Sequence, residues 1–402
     1  MIVGSGDLPY ECSSTRPACL KSNLKKGNSM KKHALILGTL AGQAEAMEWL
    51  KDNGWLVSAC GHVQEGPGVA TADHFYLVDI LNIEKVTELA RDIKADVVYS
   101  VGSDIAMPTV ARVSETLGLP CFHNSETTSI LHRKVLTRQF LNDHNISTTS
   151  FQKLRTVEDL YKFHTFPAIL KPADSQGQRG IFIVESVEEA ARLVPQSFAA
   201  SKTSEAIIEE LIDGPEISVH AFVVDSKLVF FQPSDRHTWE GPAVGVPTGH
   251  VLPSHFTSKD MLPRVRDLVE SCVSHLKVAN GPLYFQMKLS KELGPKIIEI
   301  APRLDGCHMW RVVEYYTGVN LIAACFNRLL GLPWQYADVP EPTTPYSLWF
   351  FLQKTGETFQ KSLHALPADA NCVYQHFLYT DGQKVRPTNG IIEKVGYYIL
   401  KG

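Results

Sequence analysis

A polar pair on a predicted β-hairpin carries the clearest chemistry in this sequence. Two apolar runs flank a polar turn at 290–294, which is typical of antiparallel strands. Glu299 alternates with its two isoleucine neighbours, so its carboxylate should lie on the opposite face, which Gln286 of the partner strand would share. A carboxylate beside an amide oxygen suits a hydrated divalent cation that bridges phosphates. Arg303 follows as a planar donor for phosphate or carboxylate, although an ordinary amphipathic hairpin would give the same pattern.

A second stretch combines a lysine with a loop of small and polar residues. An apolar strand over 168–170 ends on Lys171, and the loop leads to another apolar strand. Its glycines would let the backbone approach a ligand, and its N–H groups would bind phosphate oxygens. The loop residues assigned to this contact are Ser175, Gln176, Gly177, Arg179 and Gly180. The sequence GxxxxGK[ST] is absent, so this is not a Walker loop, and a simple turn remains an alternative.

A third stretch places carboxylates along an extended backbone. It comprises Glu209, Glu210, Leu211 and Ile212, a turn at 213–215, and Glu216. An extended backbone edge beside apolar side chains can pair with an adenine ring and enclose it. A nearby carboxylate can then bind the ribose hydroxyls.

In order and spacing, the three stretches resemble the ATP-grasp superfamily. The closest resemblance is to its carboxylate-amine ligases, the branch with biotin carboxylase, carbamoyl phosphate synthase and the L-amino acid ligases. The resemblance covers residues 32–402 and implies an α/β ATP-grasp fold with an N-terminal Rossmann-like (pre-ATP-grasp) domain and a small C-terminal β-rich domain. It implies ATP with Mg²⁺ or Mn²⁺, and it places Lys134 and Lys171 on the nucleotide phosphates. Judged from its helix alone, Lys134 would be a solvated surface lysine.

The expected domains follow from this resemblance and from the patterning. Residues 1–31 are expected to form a disordered leader. The predicted units after it are a pre-ATP-grasp domain at 32–123, a linker helix and lid at 124–204, a central ATP-grasp part at 205–335 and a β-rich domain at 336–402.

The first of these units opens with a predicted βαβ pattern. A buried strand at 33–38, a helix at 43–53 and a strand at 55–59 form this pattern, and a strand at 119–122 should close the domain. The linker is expected to be one helix over 125–145. The first turn lacks the full GxGxxG pattern, so a nicotinamide oxidoreductase is nearly excluded.

The amino-acid composition limits the classes of partner and the cellular location expected for this protein. The chain has 402 residues and a net charge of −4, which argues against nucleic-acid binding. No apolar run is long enough for a membrane span, and the leader lacks the apolar segment of a secretory signal. The 8 cysteines show no CxxC spacing, which fits reduced thiols and a cytoplasmic location. A homodimer is expected because this branch commonly forms one.

The resemblance implies phosphorylation of a carboxylate by ATP, followed by attack of an amine or ammonia on the acyl phosphate. Arg303 would stabilise the oxyanion, and Glu299 would be the principal metal ligand and catalytic carboxylate. Two positions depart from the family pattern: Gln286 replaces an acidic residue, and Ala301 replaces an Asn. Asp305 could supply a replacement carboxylate for the lost ligand; the alternative is that the second magnesium is held more weakly.

Two functions therefore stay open. The first is a ligase that forms an amide or peptide bond on a small carboxylate. The second is a catalytically weakened ATP-binding protein that acts through a partner. The candidate residues for substrate specificity are His250, Asp305, His308 and Trp310, although an ordinary polar rim would look the same.

Overall fold

The structure is a computed structural model that describes residues 32–174, 179–240, 245–332, 334, 344–387 and 390–402. The predicted leader at 1–31 lies outside the described residues, as do the loop residues Ser175, Gln176 and Gly177.

The N-terminal part is a parallel sheet with helices, as the βαβ pattern predicted. Its elements are β1 (His33–Leu37), α1 (Ala41–Asp52), β2 (Leu56–Gly61), α2 (Pro67–Thr71), β3 (His74–Leu77), α3 (Ile83–Asp92), β4 (Val97–Tyr99) and α4 (Met107–Leu117). The strand order is β3-β2-β1-β4, with every pair parallel. The prediction of a strand at 119–122 was wrong, because these residues do not form one in the structure. Phe122 instead packs edge-on against Tyr99 and Phe222, so this segment contributes side-chain packing rather than ladder hydrogen bonds.

The second part contains two helices and a small antiparallel sheet. Its elements are α5 (Ser125–His132), α6 (Lys134–Asp143), β5 (Phe151–Leu154), β6 (Ala168–Pro172), β7 (Phe182–Val184), α7 (Val187–Ala199) and β8 (Ala206–Glu210). The order of this sheet is β5-β8-β6-β7. The prediction of one linker helix was wrong, because Arg133 adopts an extended conformation (φ −106°, ψ 108°) between α5 and α6. The Thr137 hydroxyl donates to the Ile130 carbonyl across this break, at 2.8 Å.

The remaining strands form one antiparallel sheet of eight. Its elements and the helices beside it are β9 (Glu216–Val224), β10 (Lys227–Thr238), β11 (Pro247–Leu252), α8 (Met261–His275), β12 (Gly281–Ser290), β13 (Gly294–Ala301), α9 (Met309–Thr317), α10 (Leu321–Leu329), β14 (Tyr346–Lys354), β15 (Cys372–Phe377) and β16 (Ile392–Lys401). The strand order is β13-β12-β9-β10-β11-β14-β16-β15, so the C-terminal strands extend the central sheet. The predicted domain boundaries stay a prediction.

One face of this sheet is polar where β9 to β13 meet. Side chains directly opposite each other on paired strands share a face, and the pairing places ten polar residues together. This polar face comprises Glu216, Ser218, His220, Ser234, Arg236, His250, Tyr284, Gln286, Lys288 and Glu299. The opposite face carries the apolar side chains that pack in one buried cluster with those of α8. Alternation along the strands therefore separates the chemistry from the core.

None of the helices in the described ranges is long and apolar enough to cross a membrane.

Candidate functional site

The predicted nucleotide-binding residues line one cavity. It has a volume of about 210 Å³ and is bounded by the small sheet, the polar face and the α5–α6 pair. The predicted residues that line it are Lys134, Lys171, Glu209, Glu210, Leu211, Ile212, Glu216, Gln286 and Glu299. Stretches that lie far apart in sequence thus meet at one place. The assignment of each side chain to ATP stays a prediction.

A buried ion-pair network lies at one wall of this cavity. Arg138 Nε donates to Glu209 Oε2 at 2.7 Å, and Lys171 Nζ lies 3.4 Å from Glu209 Oε1. All three side chains are buried. Although burial opposes ionisation, the charges of Arg138 and Lys171 lower the pKa of the Glu209 carboxyl. The Glu209 carboxylate therefore positions Lys171.

Arg138 also determines the shape of the predicted metal-binding hairpin. Its two terminal nitrogens donate to the Ile297 carbonyl at 2.6 Å and to the Ile298 carbonyl at 3.2 Å. The register between β12 and β13 shifts here, leaving Ile298 as the extra residue of a bulge. As a result, Ile298 lines the cavity together with Glu299. The prediction from strict alternation that Ile298 faces away from Glu299 was therefore wrong.

Sequence reasoning missed Arg138, although a signal was present. Arg138 follows the predicted phosphate ligand Lys134 by four residues on the same helix, and such positions share a helix face. An arginine on the functional face of a helix is a candidate for the same site.

Gln286 and Glu216 form a hydrogen-bonded pair on the polar face. The Gln286 amide nitrogen donates to Glu216 Oε2 at 2.8 Å, and Arg236 Nε donates to the same oxygen at 3.1 Å. Gln286 lies directly opposite Glu299 because of the bulge, since regular pairing from the turn would place Gln286 opposite Ile298. The two residues therefore share a face, as predicted. An amide that donates through its nitrogen can still offer its oxygen to a cation, so this arrangement is compatible with metal binding.

Arg303 forms a two-point ion pair with Asp104. Its Nε donates to Asp104 Oδ1 at 2.7 Å, and its Nη2 donates to Asp104 Oδ2. Its third nitrogen donates to the Leu304 carbonyl at 3.0 Å, and the guanidinium lies over the Tyr284 ring. Asp104 itself lines the cavity, whereas Arg303 lies behind it. Sequence reasoning missed Asp104, although polar residues that follow a parallel strand, here β4, often form binding sites.

The four candidate specificity residues divide into two groups. His250 and Asp305 lie with Cys307 in a buried cluster. His308 and Trp310 instead contact Glu45 of α1, with Trp310 Nε1 donating to its carboxylate at 2.8 Å. Burial opposes the ionisation of Glu45, but His308, with Nδ1 3.5 Å from its carboxylate, and the charge of Arg311 lower its pKa to about 2. His308 and Trp310 therefore join the N-terminal part to the central sheet.

Asp305 is poorly placed to replace the ligand lost at Ala301. Its carboxylate is buried next to His250 and Cys307, and it is not among the residues that line the cavity. This placement does not favour the hypothesis that Asp305 completes the magnesium site.

Comparison with known proteins agrees with this geometry. Residues 132–306 match the family model described as phosphoribosylglycinamide synthetase, ATP-grasp (A) domain. That range includes the ion-pair network, the polar face and the predicted metal-binding hairpin. Over this range the chain is similar to the ATP-grasp superfamily, as the sequence predicted.

Two named relatives match part of this chain. It is 26% identical over 242 residues to a phosphoribosylamine--glycine ligase of Pseudomonas syringae pv. tomato, covering 55% of each chain. It is 25% identical over 292 residues to the bovine trifunctional purine biosynthetic protein adenosine-3, covering 68% of this chain and 28% of that one. The chain thus spans between about a quarter and about half of the length of these relatives.

Solved ATP-grasp structures share the whole architecture. An L-amino acid ligase from Bacillus licheniformis superposes with a TM-score of 0.76 at 17% identity, covering 93% of this chain and 94% of that one. A phosphoribosylglycinamide synthetase from Anaerococcus prevotii gives a TM-score of 0.70 at 20% identity, covering 92% and 94%. At this identity the likeness establishes the fold, including the N-terminal domain and the C-terminal β-rich part.

Of the predicted phosphate-binding loop after β6, the described residues include Arg179 and Gly180. Arg179 is exposed, and neither Arg179 nor Gly180 lines the cavity. Gly180 has φ +70°, and a Cβ there would approach the Ala200 Cβ to 2.6 Å, so this turn requires glycine. A phosphate contact from Arg179 stays a prediction.

Proposed function

We propose that this protein is an ATP-dependent carboxylate-amine ligase. A carboxylate oxygen attacks the terminal phosphate of ATP, forming an acyl phosphate and ADP. An amine or ammonia then attacks the acyl carbon, an amide or peptide bond forms, and phosphate leaves. The convergence of the Lys171–Glu209–Arg138 network and the Gln286–Glu299 pair on one cavity carries this proposal. Relatives named as ligases support it.

The cavity walls fit a nucleotide. Ile169, Ile181, Ile183, Leu211 and Ile212 supply apolar surface for a planar base, while Lys134 and Lys171 supply positive charge. The Leu211 N–H donates to the Pro167 carbonyl at 3.0 Å. The Glu210 N–H donates to the Ser150 carbonyl, also at 3.0 Å. The backbone groups that would pair with adenine are therefore the Glu210 carbonyl and the Ile212 N–H. Their position at the end of β8 supports the adenine assignment made from the sequence.

Glu299 and Gln286 fit a divalent cation next to this nucleotide. Glu299 is exposed within the cavity and lies opposite Gln286, so a carboxylate and an amide can face the same ion. Bound Mg²⁺, or Mn²⁺, would neutralise charge on the phosphates during phosphoryl transfer. Ala301 is buried and offers no side-chain oxygen, which leaves this pair with one carboxylate.

The chain's own cations would act on the reacting groups. Lys171 is oriented by Glu209 and would bind a phosphate oxygen without reorienting. Arg303 is the proposed stabiliser of the oxyanion formed by amine attack. It does not line the cavity while Asp104 accepts from two of its nitrogens, so this role requires a movement of the Arg303 side chain. The substrates are a small carboxylate and an amine or ammonia. The homodimer and the cytoplasmic location stay predictions.

The altered metal site supports a second candidate, an ATP-binding protein with little ligase activity. Gln286 and Ala301 leave Glu299 as the single carboxylate of the predicted pair. A screen of acid-dependent ADP release across amino acids, dipeptides and uronic acids separates the two functions. Release that depends on one acid supports the ligase, whereas release with none of the acids, with either magnesium or manganese, supports the binder.

ATP with magnesium is expected to raise the melting temperature of the protein. A ligand that binds only the folded state stabilises it by about 2.7 kcal/mol at a concentration one hundred times its Kd. NADH at the same concentration should leave the melting temperature unchanged. The matched variant is Lys171→Met, which should reduce the ATP response because it removes a buried positive charge from the cavity wall. An equal response to NADH, or no response to ATP, would contradict the nucleotide assignment.

A further inference from the structure

A cluster of three potential metal ligands includes one residue of the polar face. His250 belongs to β11, whereas Asp305 and Cys307 belong to the segment after β13. One potential ligand atom from each lies within 4.8 Å of the others. Their relative exposures are 0%, 4% and 7%, so the cluster is closed to bulk water. Among the described residues, these three do not line the nucleotide cavity.

The cluster contains polar atoms that lack partners. Neither ring nitrogen of His250 has a hydrogen-bond partner in the described structure, and the same is true of Asp305 Oδ2. Asp305 Oδ1 accepts a hydrogen bond from the Cys307 N–H at 3.0 Å, which fixes the carboxylate. Buried polar groups in folded proteins are nearly always satisfied, so three orphaned atoms at one place indicate that a ligand is missing. In either neutral tautomer, one His250 nitrogen carries a free lone pair.

The surrounding cations do not satisfy the cluster. Arg236 and Arg303 lie close enough to act on Asp305, but each is bonded to another carboxylate, Glu216 and Asp104 respectively. Lys394 Nζ donates to Cys307 Sγ at 4.0 Å and would compete with an ion for this sulfur. Despite burial, the neighbouring imidazoles and arginines lower the pKa of Asp305 to about 2. The cluster therefore holds a negative charge with one oxygen unpaired.

We propose that His250, Asp305 and Cys307 bind a divalent transition-metal ion of the zinc type, separate from the magnesium at the nucleotide. Nitrogen, sulfur and carboxylate oxygen together are the ligand set that zinc prefers, whereas magnesium prefers oxygen alone. The thiol proton of Cys307 leaves to water when the metal–sulfur bond forms. The ion would join β11 to the segment that carries Arg303. This proposal is independent of the ligase proposal.

Cobalt substitution tests this site without any activity assay. The full-length protein is treated with a chelator and then titrated with Co²⁺, which gives a thiolate-to-metal charge-transfer absorption when cysteine is a ligand. We expect one ion per chain with this absorption, displacement by Zn²⁺, and no displacement by excess Mg²⁺. Cys307→Ser should remove the charge-transfer absorption, and Asp305→Asn should weaken Co²⁺ binding at least tenfold.

The matched control is Cys272→Ala. Cys272 is buried among apolar side chains that pack against the opposite face of the sheet, so this variant should retain the absorption. Circular dichroism of each metal-free variant establishes that it folds. Wild-type protein that binds no Co²⁺, or binds it without the charge-transfer absorption, would overturn the proposal. Loss of the absorption in Cys272→Ala with retention in Cys307→Ser would do the same.

Discussion

Glu299→Gln is expected to lower acid-dependent ADP release by at least roughly 100-fold, because it removes the one carboxylate from the predicted metal pair. Gln286 is already neutral and donates to Glu216, so the variant would leave two amides facing the ion. The substitution is nearly isosteric, and Glu299 is exposed in the cavity, so the fold should persist. Steady-state ADP release, measured over a magnesium titration with an acid that supports wild-type turnover, gives the result.

Glu292→Gln is the matched control for this experiment. Glu292 is exposed in the turn of the same hairpin, away from the cavity lining, so its substitution should leave ADP release unchanged. If Glu299→Gln kept full turnover, Glu299 would not be the metal ligand. If both variants lost turnover together with their melting transitions, the hairpin fold rather than the ligand would be responsible.

Arg138→Met is expected to destabilise the protein by about 3–5 kcal/mol, because it removes one partner from a buried ion pair. Glu209 would keep Lys171 at 3.4 Å but lose its shorter contact, and the carbonyls of Ile297 and Ile298 would lose their donors. Arg138→Lys should fall between Arg138→Met and the wild type, since an ammonium cannot make this set of planar contacts. Urea denaturation of the three proteins measures the difference.

Arg155→Met, at an exposed arginine, is the matched control for the stability loss expected from Arg138→Met. Arg155 bonds to Glu205 at 3.1 Å, but its side chain is 70% exposed. Arg155→Met should therefore cost less than about 1 kcal/mol, because water screens this pair. If Arg138→Met and Arg155→Met lowered the free energy of unfolding equally, burial would not explain the contribution of the Arg138 ion pair to stability.

The sequence by itself predicted the elements that present the candidate site. Alternation along two short strands predicted that Gln286 could share a face with Glu299, because the period of a strand is local. The bulge at Ile298 brings the two residues directly opposite each other. The strand that carries Lys171 and the extended stretch before Glu216 were recognisable for the same reason. Each of these features depends on neighbours within a few residues.

The partners of those residues were decided by the tertiary structure. Arg138 meets Glu209 across 71 positions, Arg303 meets Asp104 across 199, and Trp310 meets Glu45 across 265. No periodicity connects residues so far apart, since their contact depends on how the separate sheets pack.

The bulge at Ile298 has the same origin. Local alternation predicted that Ile298 would face away from the cavity, but Arg138 of α6 binds the carbonyls of this segment, and Ile298 lines the cavity. Local sequence determined which face each strand presents. Hydrogen bonds from distant elements decided where that pattern is interrupted and which charges are neutralised, because burial requires each charged group to find a partner wherever the fold supplies one.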